Sequence, residues 1–282
     1  MTNIVKSFAT VDPFDGMTGA APAQAQNLVG GRWVSTDKTM TVPDPLNGEA
    51  FIEMPDTRDI APFVAGLRSC PKTGLHNPLK NVERYVHLGR VCARASALLA
   101  EQEVEDFFTR LIQRVMPKSW NQARGEVLIT RTFLENFSGD GVRFLARGFS
   151  NPGDRTGQQS NGYRWPYGPV VLIAPFNFPL EIPALQLMGA LFMGNRPLLK
   201  SATTVDIVIE QFVRLLIYAG LDPKDLDFIH CGGRTMGRLI EEASDVIRLV
   251  QFTGSSNVAE ATSVAVNGCV RIEDAGFDWK VI

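Results

Sequence analysis

The chain has 282 residues, 45% of them hydrophobic, and its 28 basic and 30 acidic side chains leave a net charge of −2. That is enough apolar material to bury roughly three-quarters of the unfolded surface in one or two globular domains. The charges are mixed along the sequence, so no long-range field selects nucleic acid or an anionic membrane as a partner.

The N-terminus, MTNIVKSFATVDPFDGMTG, carries Asp12 and Asp15, has no arginine and lacks the apolar core of a secretory signal; it does not look like an Arg-rich transit peptide either. The first forty or so residues read as irregular, with turn signals such as DPFDGM and PDPLNGE. From about Asn81 to Phe149 the pattern is helical: VERYVHLGRVCARASALLA spaces Tyr85, Leu88, Val91, Cys92, Ala95, Leu98 and Leu99 on one face, DFFTRLIQRV continues, and RTFLENFSGDGVRFLARGF suggests a third helix. Packing alone accounts for these helices. The segment NPGDRTGQQSNG reads as a loop.

After Gly162 the pattern changes. The stretch GPVVLIAPFNFPLEIPALQLMGALFMGN is long enough to cross a bilayer, but Pro169, Pro175, Pro179 and Pro183 interrupt its first half, so it reads as buried strand, turn and helix. PLLK, LDFIH, VIRLVQF and CVRIE follow as strands, separated by helices over TTVDIVIEQFVRLLIYAG, TMGRLIEEA and NVAEATSVAV. Five near-continuous apolar strands alternating with helices predict an α/β fold: a Rossmann-like parallel sheet of about five strands with helices on both faces. An N-terminal arm and helical region, 1–160, would precede this sheet region, 161–282.

In such sheets ligands bind beyond the carboxyl ends of the strands. The strands lead in order to Asn177, to Lys200, to Gly232 and Gly233, to Thr253, Gly254 and Ser255, and to Glu273, all on one rim. An amide, a lysine, two small-residue turns and a carboxylate suit a nucleotide and a reacting carbonyl. Ser255 opens a helix, where free amides favour a phosphate, and Gly233 and Gly237 let backbone approach a ligand. Singly, Ser255 could merely cap its helix, Gly233 shape a turn and Lys200 be solvated; the joint placement shifts the balance. No GxGxxG follows the first strand, which runs into APFNFP, so the phosphates of a dinucleotide would sit elsewhere, at Ser255.

The segments APFNFPLEIP, LMGALFMGNRPLLK, FTGSSNVAE and RIEDAGFDWK resemble the aldehyde dehydrogenase superfamily, which oxidises aldehydes to acids with NAD or NADP. Upstream, TGLHNPLK, FFTRLIQRVMPKS and GYRWPYGPV are similar to its plant and protist pyrroline-5-carboxylate group, which acts on L-glutamate γ-semialdehyde in proline catabolism. The resemblance implies that Asn177 donates to the oxyanion and that Glu273 is the general base. It implies a dinucleotide, NAD with NADP not excluded, held by Ile173, Ala174, Pro175, Phe176, Lys200, Thr203, Gly233, Gly237, Phe252, Gly254, Ser255 and Val258. Lys200 would take the adenosine ribose and Ser255 the pyrophosphate. Many relatives place a glutamate where this chain has Thr203, which weakens the case for strict NAD use.

The four cysteines, Cys70, Cys92, Cys231 and Cys269, stand outside any CxxC or Cys/His cluster, which argues for a reducing compartment and against a metal site. The family's nucleophilic cysteine lies beyond the general base, and the sequence ends nine residues after Glu273. The resemblance thus implies a cofactor-binding half without its thiolate. Cys231 and Cys269 are expected to be buried thiols rather than substitutes. Three outcomes are open: a truncated or incompletely read enzyme, inactive alone; a silent nucleotide-binding protein that pairs through GYRWPYG with a full-length paralogue; or one part of a split enzyme. The resemblance points to the mitochondrial matrix, and the lack of a clear presequence leaves the cytoplasm as the alternative. Loss of the covering half predicts an exposed apolar patch.

Overall fold

The computed structural model describes residues 3–274. The continuation after Asp274, AGFDWKVI, lies outside the described residues.

The N-terminal arm is ordered into short elements: helix α1 (Asn3–Lys6) and strands β1 (Ala23–Gln24), β2 (Asn27–Val29), β3 (Arg32–Val34), β4 (Thr39–Pro43) and β5 (Ala50–Pro55). The expectation of an irregular arm is therefore corrected. Gly30 and Gly31, with φ of 57° and 82°, form the tight link between β2 and β3, and a Gly-Gly pair between NLV and RWV is itself a hairpin signal. Strands β1, β5 and β4 make a separate three-stranded sheet.

Helices α2 (Ala61–Ser69), α3 (Glu83–Ala100), α4 (Gln102–Val115), α5 (Trp120–Asn136) and α6 (Asp140–Ala146) follow. The periodicity of α3 and α4 is that of the sequence. The third expected helix is in fact two: α5 starts earlier, at a capping box formed by Ser119 and Gln122, and the chain breaks at Gly139, whose φ is 56°. The segment expected to be a loop is a hairpin of β6 (Phe149–Pro152) and β7 (Gln159–Gly162), exposed along both strands.

Then β8 (Pro169–Ile173), α7 (Glu181–Phe192), β9 (Arg196–Lys200), α8 (Asp206–Tyr218), β10 (Asp227–Phe228), α9 (Gly233–Glu242), β11 (Leu249–Gly254), α10 (Ser256–Ala265) and β12 (Val270–Asp274) alternate. Strand order in the main sheet is β12-β11-β8-β9-β10-β2-β3. The first five are parallel, as the pattern implied; β2 pairs antiparallel with β10, so the arm's hairpin extends the sheet to seven strands.

Period-two alternation sends successive side chains to opposite cores. Val170, Leu172, Leu199 and Phe228 join the core of α3, α4, α5, α7 and α8. Val171, Leu198 and Ile229 join Phe63 and Leu67 of α2 and Leu239 of α9. Each buried Val, Leu or Ile contributes about 1.5–3 kcal/mol, and β8 and β9 are buried on both faces, which is why they read as unbroken apolar runs. β11 lies beside β8 and not beside β10. The winding reverses between β8 and β11, and a crevice opens there at the carboxyl ends of the strands.

Candidate functional site

That crevice is a cleft of about 1050 Å³, just above the roughly 300–1,000 Å³ typical of ligand pockets. The turn after β8 brings Ile173, Ala174, Pro175, Phe176 and Asn177 to its wall, and β9 ends there in Lys200. Gly233 and Gly237 enter from α9, Phe252 and Gly254 from β11, Ser255 and Val258 from the start of α10, and Glu273 from β12. Thr203 is half-buried and stands outside this lining. The apolar wall supplied by Met236 and Ile240 of α9 and Ala261 and Ala265 of α10 escaped the sequence, because such residues at helical spacing read as core.

The lining fits an extended anionic ligand. The Lys200 ammonium has no ion-pair partner among the described residues. Ser255 occupies the N-cap position of α10 without a side-chain capping hydrogen bond, and Gly232 occupies that of α9. Two helix N-termini therefore present unpaired amides and the positive ends of their dipoles, and the Ser255 hydroxyl is not consumed by capping. A Cβ built on Gly233 or Gly237 would meet nothing within 4 Å, so these glycines keep space open over the cleft instead of relieving a clash within the chain.

Two polar arrangements support the rim. Gln186 Nε2 donates to Thr253 Oγ1 at 2.8 Å, and Thr253 Oγ1 donates to Glu273 Oε2 at 3.3 Å, across a rung of the β11–β12 ladder that pairs the two residues. Glu273 is exposed and reaches water directly. Nothing in the sequence signalled Gln186, which the fold brings over from α7. On the opposite side, the turn bearing Asn177 is pinned from below. Lys118 Nζ lies 4.0 Å from the centroid of the Phe178 ring and pairs with Glu126 Oε1 at 2.6 Å. Burial pushes the Glu181 carboxyl up, the Glu126 charge adds to that, and Lys118 opposes both.

None of the cysteines is placed as a rim nucleophile. Cys231 is buried; burial pushes its thiol up to about 12, with Lys200 pulling down and Asp206 pushing up. Burial raises the Cys92 thiol to about 12 and that of Cys70 to about 11. Cys269, expected to be buried, is exposed, because it sits in the turn entering β12, at the end of that strand away from Glu273. Among the described residues no cluster of His, Cys, Asp and Glu could hold a metal ion, and no helix is long and apolar enough to cross a membrane.

The model of the aldehyde dehydrogenase family matches residues 33–271. Delta-1-pyrroline-5-carboxylate dehydrogenase 12A1, mitochondrial, of Arabidopsis thaliana is 56% identical over 277 residues, covering 98% of this chain and 49% of the relative. Among solved structures, an NAD-dependent aldehyde dehydrogenase from Sinorhizobium meliloti superposes with a TM-score of 0.78 at 21% identity, covering 96% of this chain and 54% of the other. A 3,6-anhydro-L-galactose dehydrogenase in complex with NAP gives 0.75 at 25% identity, covering 90% and 52%. The chain spans about half the length of the relatives it matches.

Proposed function

The chain belongs to the aldehyde dehydrogenase family, and from that premise we propose that its cleft holds a nicotinamide dinucleotide and serves the oxidation of an aldehyde to its acid. The observation that carries this is the convergence of Asn177, Lys200, Ser255 and Glu273, far apart in sequence, on one cleft at the reversal of strand order.

When bound, the dinucleotide supplies the two-electron acceptor. Lys200 would hold the adenosine ribose, and the Ser255 hydroxyl with the first amides of α10 the pyrophosphate. The side-chain amide of Asn177 would donate to the oxygen of the attacked carbonyl, where one such donor contributes about a hundredfold in rate or more. Glu273, held by Thr253, would take a proton from water. Thr203 brings no carboxylate that would repel a 2′-phosphate, so NAD and NADP both belong in the test. Residues 161–282 would form the dinucleotide region, on which 1–160 pack.

The similarity to the Arabidopsis protein supports L-glutamate γ-semialdehyde as the aldehyde, a place in proline catabolism and a mitochondrial location. The sulfur nucleophile would come from outside Cys70, Cys92, Cys231 and Cys269. That placement of the thiols also favours a second use of the same cleft, as a nucleotide-binding partner of a full-length relative.

Calorimetric titration of the chain with NAD⁺ and NADP⁺ tests the cofactor. Heat with at least one is expected, together with protection from unfolding of about 2.7 kcal/mol at a hundred times Kd; neither effect with either dinucleotide would remove the proposal. Absorbance of reduced nicotinamide after adding L-glutamate γ-semialdehyde tests the rest. The chain alone should give a flat trace, and turnover by it would show that one of its own thiols attacks.

A further inference from the structure

Helix α8 is amphipathic by pattern, yet its polar residues Asp206, Glu210 and Gln211 are fully buried. Asp206 and Glu210 face His230, which follows β10 and is equally inaccessible, while Gln211 turns to Thr10 of the N-terminal arm. His230 Nδ1 lies 3.3 Å from Asp206 Oδ2 and its Nε2 lies 3.2 Å from Glu210 Oε2. A neutral imidazole has one N–H and would point a lone pair at the second carboxylate; two carboxylates on two ring nitrogens require the imidazolium, donating to both. Arg214 pairs with Glu210 Oε1 at 2.8 Å, so two buried anions meet two cations. Asp206 Oδ1 has no hydrogen-bond partner among the described residues, which leaves His230 as the group compensating that carboxylate.

The remaining neighbours are few. Cys231 follows in the chain and Lys200 ends the adjacent strand β9, close enough to act on the Cys231 thiol. The N-terminal arm presents only uncharged groups: Gln26 N donates to Glu210 Oε2 at 2.9 Å, Asn27 Oδ1 accepts from His230 N at 2.7 Å, and Thr10 N donates to Gln211 Oε1 at 2.9 Å. Asp206 closes the loop that begins at Lys200, and His230 stands three residues before Gly233. Both loops line the cleft.

We propose that His230 is a positioning residue of the cleft: by gripping Asp206 and Glu210 together, it holds the loop of Lys200 and the turn of Gly233 at the separation a bound dinucleotide requires. This rests on the cofactor reading given above. The clamp depends on pH in a definite direction. Burial pulls the imidazolium down, but the hydrogen bonds and charges of Asp206 and Glu210 outweigh it and carry His230 up to about 9. A group raised above its unfolded value near 6.5 stabilises fully below that value and loses its contribution as pH rises through about 9. Beyond that point Asp206 and Glu210 repel across a neutral ring.

The test is calorimetric titration of the full chain with NAD⁺ and NADP⁺ from about pH 7 to about pH 10, for the wild type, H230N and E210Q, with amide exchange followed over residues 200–206 and 229–236. Wild-type affinity should fall about tenfold across that range, the scale of coupling carried by such networks. H230N should bind about tenfold more weakly at neutral pH, with no alkaline inflection and faster exchange in both loops. Wild-type affinity that stays level, or H230N that keeps both affinity and inflection, overturns the positioning role. If H230N does not fold, E210Q carries the same comparison. Absence of heat from the wild type at every pH overturns the cofactor reading and the positioning role with it, whereas heat with an unchanged H230N profile overturns the positioning role alone.

Discussion

Glu126 Oε2, on α5, accepts the backbone amides of Leu180 at 3.2 Å and Glu181 at 3.4 Å, so a buried carboxylate from the helical region caps the helix that follows Asn177. Its other oxygen holds Lys118, and Glu126 is only 1% exposed. E126Q leaves Lys118 without its counter-charge and weakens the cap. Breaking a buried pair on one side costs about 3–5 kcal/mol, and since Lys118 keeps some contact with water the loss should lie near the lower end, about 3 kcal/mol by urea unfolding. A loss under about 1 kcal/mol would mean that the turn of Asn177 is fixed by other contacts.

Gly237 separates the needs of the fold from those of a ligand. It lies inside α9, has no left-handed φ, and an added Cβ meets nothing within 4 Å. For the chain alone, G237A should be harmless and even stabilising by up to about 1 kcal/mol, since glycine is a poor helix former. The added methyl points into the cleft. G237A is therefore expected to raise the midpoint of thermal unfolding while weakening the calorimetric affinity for dinucleotide. A rise in stability with unchanged affinity would place the ligand away from α9.

What the sequence disclosed follows from which interactions are local. β8 and β9 were visible because strands covered on both faces are apolar throughout, and the rim was visible because parallel strands all end on one side. The hairpin of Gly30 and Gly31 is equally local, but its strands of three residues each are too short to show a period. Tertiary partners left no trace in pattern. Gln186 reaches Thr253 across 67 residues, and Asp206 and Glu210 occupy positions on α8 where polar residues usually mark the wet face. Those positions are dry only because His230 and the arm, remote in sequence, cover them. Cys269 departs from residue preference: cysteine is commonly buried, yet the turn before β12 leaves it in water.

Stability should fall on the acid side through His76. Its ring is 1% exposed, packs edge-on against Tyr85 with centroids 4.4 Å apart and accepts Arg84 Nε at 3.3 Å. Burial first, and then the Arg84 charge, hold it down to about 4. A histidine depressed below its unfolded value near 6.5 stabilises fully above that value and loses its contribution as pH falls to about 4. The gap corresponds to about 3 kcal/mol. Burial raises the carboxyls of Asp225 and Asp227, which works with the opposite sign, so the comparison must be made against a variant. H76N should lose stability at neutral pH and show a flatter decline between about pH 7 and pH 4; parallel declines in the two proteins would assign the acid limb to other groups.

The far edge of the main sheet predicts how the chain behaves at high concentration. β12 has no strand on its outer side among the described residues, and its side chains are largely exposed, Ile272 at 44%. Next to it, a groove of about 450 Å³ is lined by Phe133, Trp165, Tyr167, Met193 and Leu249, with Trp165 at 44% and Tyr167 at 50% exposure. An open edge and an apolar groove side by side favour self-association. The chain should bind an environment-sensitive dye strongly and show a sedimentation coefficient that climbs with concentration. W165S with Y167S should cut dye fluorescence by about half. I272K should suppress self-association with little change in the unfolding midpoint, because a lysine on an edge strand blocks pairing and removes no buried contact. Weak dye binding with a concentration-independent monomer would mean that this face is covered within the chain itself.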